Sequence, residues 1–368
     1  MERLMSEVTV LGLGRVGYRT LKLLHELLPD ANFNAVDANP GVKPLAEALG
    51  RTVFHVYSQD VLKELAKKSD LFVTALPSST AFPILKTLAE ECVDIVDVSF
   101  TREDPYLLEP VVEKCGTVFI PDAGFAPGYS NLIAGYVEKE LGGLESIDIM
   151  VGGIPSYPIP PLGYVVTWNP FDLIEEYKRP ARIIRNGELV AVDPLSETIT
   201  VDVEGVGMLE GFVSDGLRTL LRNIRARNMR EVTLRWPGHV GYMKFLRDLG
   251  LMSEDYLEID NTRVQPVRVL AKIFETRLKA DVNDVAILHV EATGIGGGRY
   301  VETAVLQGTV ENPATPFFTA LVHAYASYLA AKRLVKPGVQ PLENMSEHKQ
   351  GFQEFLEAKN VKIRIKRW

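Results

Sequence analysis

The pattern of apolar and polar positions changes once along the 368-residue chain, close to Asp122. Before that point, short apolar runs, mostly rich in valine and isoleucine, alternate with longer runs whose apolar residues recur at helical spacing. Such runs, separated by helices, predict a parallel sheet that is covered on both faces. The predicted strands are residues 8–11, 33–36, 53–56, 71–75, 93–98 and 117–120.

Beyond Asp122, apolar and polar residues alternate more often, which predicts an α+β part with a mostly antiparallel sheet and helices on one side. A last long helix begins at Thr315-Pro316 and stops at Pro337-Gly338. Because this helix is strongly apolar, we expect it to return to the first sheet and cover it. The predicted strands of the second part are 146–151, 198–203, 231–236 and 282–292, and its predicted helices are 172–177, 216–226, 242–249 and 267–278.

The first predicted strand leads into Gly12-Leu13-Gly14-Arg15-Val16-Gly17, and a predicted helix follows. Gly12 allows a tight turn, Gly14 lets the backbone approach a pyrophosphate, and Gly17 lets the helix pack close to the sheet. The N-terminus of that helix offers free N–H groups to phosphates. Asp37 ends the second predicted strand, roughly 20 residues after Gly17, as in dinucleotide-binding units. The first part is therefore predicted to be a Rossmann domain.

The predicted cofactor is NAD, because the carboxylate of Asp37 would accept hydrogen bonds from a ribose diol and repel a 2′-phosphate. NADP stays open, since Arg15 could reach such a phosphate. Further contacts are expected at the carboxyl ends of the later strands, where open parallel sheets bind ligands. The predicted cofactor-binding residues are Gly12, Gly14, Arg15, Val16, Gly17, Asp37, Ala75, Leu76, Pro77, Asp97 and Ser99.

Composition and charge exclude several function classes. The net charge of −8 argues against a nucleic-acid or anionic membrane surface. Residues 312–331 carry no charge, but Thr319, His323 and Ser327 form a polar stripe, which favours a packed helix over a membrane span. Cys92 and Cys115 lack the spacing of metal or redox motifs, so we expect two free buried thiols in a reducing cytoplasm. No metal-binding motif is present, and no metal site is predicted.

Three segments supply candidates for substrate binding and catalysis. In 122–128, expected where the two parts meet, Asp122 could hold a substrate ammonium. Residues 164–169 combine an apolar wall with hydrogen-bonding tips. In 235–239, Arg235 could grip an α-carboxylate, while His239 is either a proton carrier or a structural donor. The predicted catalytic residues are His239, Asp122 and Tyr164, and the predicted substrate contacts are Arg235, Trp168, Thr167, Asn169 and Phe125.

Together these segments resemble the saccharopine dehydrogenase (glutamate-forming)-like family, and within it most closely the L-lysine 6-dehydrogenases. The resemblance runs in family order from near residue 8 to about residue 340. Its more specific parts are the Gly-Phe-Ala-Pro-Gly-x-Ser-Asn segment at 124–131 and the Arg-x-Pro-Gly-His turn at 235–239. Asn169 stands where serine is expected and Trp236 where tyrosine is expected, and both differences could reshape the substrate pocket.

The resemblance implies a Rossmann domain closed by a C-terminal helix (1–124 with 316–345) and an inserted α+β domain (125–315) for substrate and subunit contacts. Residues 346–368 are expected to form a C-terminal tail that is solvated or touches a neighbouring subunit. The implied reaction is NAD-linked oxidation of the ε-amine of L-lysine to a semialdehyde and ammonia, in a homodimer or homotetramer.

Alternatives remain open. A saccharopine dehydrogenase would direct extra arginines, such as Arg179, Arg182 or Arg299, into the pocket to hold two more carboxylates. A carboxynorspermidine-type dehydrogenase belongs to the same family. An NAD-sensing regulatory protein that lacks catalysis represents a different class.

Overall fold

A computed structural model of the chain describes residues 6–166 and 170–368. It divides into two compact units, each assembled from separate stretches of the chain. Unit 1 comprises Met1–Tyr136, Arg222–Ile224 and Pro316–Asn360, and unit 2 comprises Val137–Leu221, Arg225–Thr315 and Val361–Trp368.

Unit 1 contains a seven-stranded sheet in which every neighbouring pair is parallel. With strands numbered along the whole chain, its members are β1 (Glu7–Leu11), β2 (Asn32–Asp37), β3 (Thr52–Val56), β4 (Leu71–Thr74), β5 (Asp94–Asp97), β6 (Val118–Ile120) and β17 (Gly338–Val339). Their order is β3-β2-β1-β4-β5-β6-β17. This is the Rossmann strand order with one strand added, and it confirms the predicted fold class.

The strand order reverses between β1 and β4, so the turns that follow these two strands lie side by side. Open parallel sheets bind ligands at such a reversal. Asp104 caps a 3₁₀ turn at Pro105–Leu108, and Ser58 caps the helix that begins at Gln59. The helices that lie wholly or partly in this unit are α1 (Gly17–Leu27), α2 (Lys43–Glu47), α3 (Gln59–Ala66), α4 (Ser78–Glu90), α5 (Glu109–Cys115), α6 (Tyr129–Glu140), α11 (Ala314–Ala331) and α12 (Lys349–Ala358).

Helix α11 belongs to unit 1, and His323 of its polar stripe bonds directly to the first sheet. His323 Nε2 donates to the carbonyl oxygen of Val96, on β5, at 3.2 Å, and its Nδ1 lies 3.3 Å from the Thr20 hydroxyl. Burial lowers the pKa of His323 to about 4, so the imidazole is neutral at physiological pH. Among the described residues, no helix has both the length and the apolarity that a membrane span needs.

Unit 2 is built on a larger sheet whose main path runs β10-β11-β12-β7-β15-β16-β18. All pairs on this path are antiparallel except β7 and β12. The short strands β8 and β9 join at β12, and β13 pairs with β14 in a separate hairpin. The strands are β7 (Leu144–Pro155), β8 (Ala181–Arg185), β9 (Glu188–Val192), β10 (Thr198–Val203), β11 (Gly207–Ser214), β12 (Ala226–Arg235), β13 (Leu257–Ile259), β14 (Thr262–Val264), β15 (Asp284–Gly294), β16 (Arg299–Gln307) and β18 (Lys362–Arg367).

This sheet curls until its two ends approach each other. Glu204, which directly follows β10, forms ion pairs at 3.3 Å with Arg364 and Lys366 of β18, at the opposite end of the path. Apolar side chains from both halves meet inside the curl in one cluster. Basic residues at an edge strand also oppose unwanted pairing with other chains.

The other face of the sheet is covered by helices. They are α7 (Pro170–Glu176), α9 (His239–Asp248) and α10 (Pro266–Arg277), while the short helix α8 (Leu220–Asn223) lies between β11 and β12 in the sequence. Met243 of α9, Leu270 of α10 and Phe212 of β11 belong to one buried cluster with Tyr164 and Tyr177. The alternation of β12 places Val232 and Leu234 inside the curl and leaves Thr233 and Arg235 facing the helices.

The expectation of a C-terminal tail is wrong. Residues 349–358 form α12, whose Phe352 is completely buried in unit 1, and β18 pairs with β16 in unit 2. Amphipathic spacing at Phe352 and Leu356 and the alternation of 362–367 were the signals for these elements.

The expectation of two free thiols is also wrong. Cys92 follows α4 and Cys115 ends α5, and the two form a disulfide with their Cα atoms 5.3 Å apart. Cys92 is exposed rather than buried. Spacing along the sequence could not reveal the pair, because the packing of α4 against α5 brings the cysteines together.

Candidate active site

The glycine turn after β1 has the tight packing that its residue types require. Gly12 adopts φ +90°, and a Cβ on it would overlap the backbone oxygen of Ala75, which follows β4. A Cβ on Gly17 would overlap the carbonyl oxygen of Gly12. Two of the three glycines are therefore required by the close approach of the turn, helix α1 and the β4 loop.

Gly14 differs from the other two glycines, because a Cβ built on it meets no atom within 4 Å. Helix α1 begins three residues later, at Gly17. Its N-cap residue, Val16, offers no side-chain hydrogen bond to the helix N-terminus. Arg15, beside it, is exposed. Uncapped N–H groups at a helix N-terminus attract phosphate. The turn thus fits a pyrophosphate on the open side of Gly14.

Asp37, at the end of β2, is tied to this turn. One carboxylate oxygen accepts a hydrogen bond from Leu13 N at 2.6 Å, and the other accepts one from Asn39 N at 2.7 Å. The side chain is partly exposed. Each oxygen retains a lone pair, so the carboxylate can still accept hydrogen bonds from a ribose diol.

Asp97, at the end of β5, clamps the two neighbouring loops. It accepts hydrogen bonds from the Thr74 hydroxyl at 2.5 Å, the Ser99 hydroxyl at 2.7 Å and Ser99 N at 3.1 Å. The Ser99 hydroxyl oxygen in turn accepts from Leu76 N at 3.0 Å. Asp97 and Ser99 therefore shape the loop Ala75-Leu76-Pro77, from which α4 begins.

Asp97 lies near a second buried acid, Asp122. Burial, assisted by the charge of Asp122, raises the pKa of Asp97 to about 7 against the opposing effect of the three hydrogen bonds. Asp122 is also buried and adopts φ +52°, a backbone conformation uncommon for aspartate. Two carboxyl groups therefore lie near each other at the ligand-binding edge of the sheet.

The segment after Asp122 folds back on itself. A Cβ on Gly128 would overlap the backbone of Gly124, and Tyr129 N donates to the Gly124 oxygen at 2.8 Å. Asn131 Oδ1 accepts from Gly128 N at 3.1 Å. Phe125 is buried with its ring 4.6 Å from that of Phe318 on α11. The distinctive residues of this segment thus close a turn that presents Asp122 at the edge of the sheet.

The Arg-x-Pro-Gly-His turn follows β12 in unit 2 and brings three predicted residues together. Gly238 adopts φ +97°, and His239 begins α9. The Arg235 guanidinium lies 4.6 Å from the centre of the Tyr164 ring, and the rings of Tyr164 and His239 are 5.5 Å apart. Tyr164, Arg235 and His239 are all buried.

His239 is held as a neutral imidazole. Its Nδ1 lies 2.8 Å from the Leu162 carbonyl oxygen and must therefore carry the hydrogen, which leaves Nε2 to accept from the Tyr177 hydroxyl at 2.8 Å. Burial, followed by the charge of Arg235, lowers the pKa of His239 to about 3. At neutral pH this side chain accepts one hydrogen bond and donates another.

Arg235 is paired with an acid that sequence reasoning missed. Its Nη2 donates to Glu176 Oε2 at 3.0 Å, and its Nη1 donates to the Leu234 oxygen at 3.0 Å. Its Nε is buried and makes no hydrogen bond to any described residue. The side chain of Arg235 is 4% exposed, whereas that of Glu176 is 27% exposed. Glu176 is therefore the more accessible member of the pair.

Glu231 is a second acid that sequence reasoning missed. It lies on the same face of β12 as Arg235 and accepts from the Ser214 hydroxyl at 3.1 Å. Burial, assisted by the charges of Glu176 and Asp215, raises the pKa of Glu231 to about 8. Polar residues at alternate positions of an otherwise apolar strand were the available signal. No sequence signal pointed to Glu176, because only the packing of its helix brings it to Arg235.

Thr167, Trp168 and Asn169, three of the predicted substrate contacts, lie outside the described residues. Among the residues that the structure does describe, no group of three histidine, cysteine, aspartate or glutamate side chains could hold a metal ion.

Comparison with known proteins places the chain among its relatives. A family model for the saccharopine dehydrogenase C-terminal domain matches residues 124–360. The chain belongs to this family. The match covers the segment at 124–131 and the turn at 235–239, on which the predicted resemblance depends most.

Two curated relatives are distant and longer than this chain. Mitochondrial alpha-aminoadipic semialdehyde synthase of Rattus norvegicus is 23% identical over 289 residues, which are 74% of this chain and 31% of that protein. Saccharopine dehydrogenase (NADP(+), L-glutamate-forming) of Saccharomyces cerevisiae is 23% identical over 218 residues, which are 55% of this chain and 48% of that protein. The chain thus matches between about a third and half of the length of these family members.

A solved structure shares the fold. Apo saccharopine dehydrogenase (L-Glu forming) from Saccharomyces cerevisiae superimposes with a TM-score of 0.80 at 18% identity, covering 99% of this chain and all of that one. At this identity the likeness establishes the fold alone.

Proposed function

We propose that this protein is an NAD(P)-dependent oxidoreductase that oxidises an amine-bearing carbon of an amino acid, with the ε-amine of L-lysine as its substrate. The observation that carries the cofactor proposal is the open face of Gly14 beside the uncapped N-terminus of α1. Membership of the saccharopine dehydrogenase C-terminal domain family supports the reaction class.

NAD is the proposed cofactor, with NADP as the alternative. The carboxylate of Asp37 favours an unphosphorylated ribose. In contrast, the name of the yeast relative specifies NADP(+), and the exposed Arg15 offers a cation for a 2′-phosphate. Asp37 thus favours NAD and Arg15 favours NADP, and an assay with both cofactors determines which one the protein prefers.

The proposed reaction breaks a C–H bond at the ε-carbon of a neutral amine, and the hydrogen leaves with its electron pair. The bound nicotinamide would accept this hydride. The substrate becomes an iminium ion, and addition of water releases ammonia and leaves a semialdehyde.

The chain's residues have separate roles in this proposal. Arg235 holds the α-carboxylate. The Tyr164 ring covers the Arg235 guanidinium and would lie beside the bound α-carboxylate. Asp122 holds an amine or positions water. The proton-carrier role of His239 stays a prediction; its pKa of about 3 favours a positioning role through Tyr177 and Leu162.

The arginines of unit 2 favour lysine over saccharopine. Saccharopine carries two carboxylates more than lysine does. Arg182 makes a two-point contact with Asp215, Arg179 lies 3.7 Å from the same carboxylate, and Arg299 lies over the Trp368 ring. Among the described arginines that sequence analysis assigned to the substrate, only Arg235 is buried beside Tyr164.

A saccharopine dehydrogenase is the second candidate, because the curated relatives and the solved structure carry that name or the name of a synthase of the same family. A carboxynorspermidine-type dehydrogenase is a third substrate variant. A cofactor-binding protein without catalysis is the non-enzymatic alternative.

The test is absorbance in the reduced-nicotinamide band with L-lysine, saccharopine and carboxynorspermidine, each with NAD and with NADP. We expect turnover with lysine, and loss of it in Arg235→Gln at equal cofactor affinity. Turnover with saccharopine alone would replace the lysine proposal with the second candidate. Cofactor binding without turnover of any amine would favour the non-enzymatic alternative, a cofactor-binding protein without catalysis.

A further inference from the structure

We infer that Glu176 and Arg235 together form a receptor for an α-amino-acid head group, in which Arg235 takes the carboxylate and Glu176 takes the α-ammonium. This rests on the proposed function and names the substrate class of its site: an amino acid with both charges free at one carbon. The sequence predicts an ammonium contact at Asp122 and no role for Glu176.

The geometry of the pair suits this ligand. Glu176 Oε2 accepts a hydrogen bond from Arg235 Nη2, and the Glu176 side chain is the more exposed of the two. An ionised carboxylate has about four acceptor sites, so it accepts from an ammonium in addition to the guanidinium. Arg235 has a buried N–H, at Nε, that makes no hydrogen bond within the described part of the chain. An unsatisfied buried N–H costs free energy, and a ligand carboxylate oxygen would satisfy it. The guanidinium edge thus offers a donor, and the carboxylate beside it offers an acceptor for an ammonium.

The charges around the pair select the same class. At neutral pH Glu231 is mostly protonated and His239 is neutral, so among Glu176, Glu231, Arg235 and His239 the two opposite charges are those of Arg235 and Glu176. A zwitterion pairs with both groups. A ligand with only a carboxylate meets the like charge of Glu176, and one with only an ammonium meets that of Arg235. Either ligand leaves a buried charge uncompensated, which is strongly unfavourable.

A purely structural ion pair is the rival explanation, and unit 2 contains a matched example. Arg230 on β12 makes a two-point contact with Asp148 on β7, at 2.9 and 2.7 Å. Their side chains are 29% and 28% exposed, so Asp148 matches Glu176 in exposure. Asp148→Asn therefore measures what the loss of a comparable structural pair does.

Binding is measured by calorimetry with three probes of similar chain length: L-norleucine, which has both charges, hexanoate, which has only the carboxylate, and pentylamine, which has only the ammonium. The wild type is expected to bind norleucine at least tenfold more tightly than either other probe. Glu176→Gln is expected to weaken norleucine binding about tenfold or more, since a charge-assisted hydrogen bond is lost. The affinity for hexanoate should stay equal or rise. Asp148→Asn should change none of the three.

The inference is overturned if wild-type protein prefers hexanoate or pentylamine, if it binds none of the probes, or if Glu176→Gln weakens all three equally. Circular dichroism of Glu176→Gln confirms that the variant is folded, and Glu176→Asp, which keeps the charge, should recover part of the norleucine affinity. None of these measurements needs turnover. Failure of the dehydrogenase assay and failure of the receptor are therefore separate results.

Discussion

The carboxylate of Asp37 accepts a hydrogen bond from the backbone N–H of Leu13 at 2.6 Å. This contact joins the end of β2 to the glycine turn after β1. The Asp37 side chain thus stabilises the turn and, in the proposed function, accepts hydrogen bonds from the ribose of the cofactor.

Asp37→Ala is expected to weaken NAD binding by roughly 10- to 100-fold, because the hydrogen bonds of a charged acceptor are lost. The ratio of kcat/KM for NADP to that for NAD should rise, since a charge that repels the 2′-phosphate is gone. Steady-state kinetics with both dinucleotides measures this ratio. An unchanged ratio would contradict the assignment of Asp37 to the ribose.

Gly14→Ala and Gly17→Ala should separate cofactor binding from folding. A methyl group on Gly17 overlaps the Gly12 oxygen, so Gly17→Ala should lower the thermal midpoint. A methyl group on Gly14 meets no protein atom, so Gly14→Ala should keep the midpoint and weaken dinucleotide binding. Thermal denaturation and fluorescence titration with NADH report the two effects. Equal dinucleotide affinity in Gly14→Ala and wild type would refute the proposed pyrophosphate position.

His239→Asn tests the proton-carrier prediction. An amide nitrogen can replace Nδ1 as donor to Leu162, while the titratable imidazole is lost. Because the pKa of His239 is about 3, we expect the pH dependence of kcat to keep its shape. The disappearance of one ionisation from that profile would instead favour the proton carrier.

The same substitution should change acid stability. The unfolded histidine titrates near 6.5 and the folded one near 3, so wild-type stability is lost as pH falls below about 6.5. Urea unfolding of His239→Asn between pH 6.5 and 5 should show a shallower loss than the wild type. His323→Asn, with the same direction of shift in unit 1, is the matched variant.

Glu231→Gln should remove a loss of stability at high pH, which is opposite to the loss at low pH that His239 causes. The pKa of Glu231 rises from 4.5 to about 8 on folding, so the folded protein holds a proton that the unfolded chain releases. Wild-type stability therefore falls as pH rises from 4.5 to 8, by up to about 1.4 kcal/mol per pH unit. Asp97 contributes in the same direction only up to about pH 7. Urea unfolding between pH 7 and 8 isolates Glu231, and a slope that persists in Glu231→Gln would refute the assignment.

The disulfide should stabilise unit 1. A cross-link over 23 positions restricts the unfolded chain and contributes about 3 kcal/mol in the chain-entropy description. The double variant Cys92→Ser, Cys115→Ser should lose roughly that amount in urea unfolding. Reducing agent should lower the stability of the wild type and leave the variant unchanged. Equal stability of both proteins under oxidising conditions would show that the bond does not contribute.

Local signals determined the first sheet. Valine-rich runs, helical spacing, the three glycines and Asp37 are properties of neighbouring residues, and they predicted the six main strands and the glycine turn. The Arg-x-Pro-Gly-His turn likewise needs only short-range geometry, a left-handed Gly238 between a strand and a helix.

Tertiary structure decided which distant groups meet, because such contacts depend on packing rather than on spacing along the chain. It paired Glu176 with Arg235 across 59 positions and Cys92 with Cys115, and it brought β18 beside β16. It also set the pKa values of Asp97, Glu231 and His239, since the burial that shifts them exists only in the folded protein.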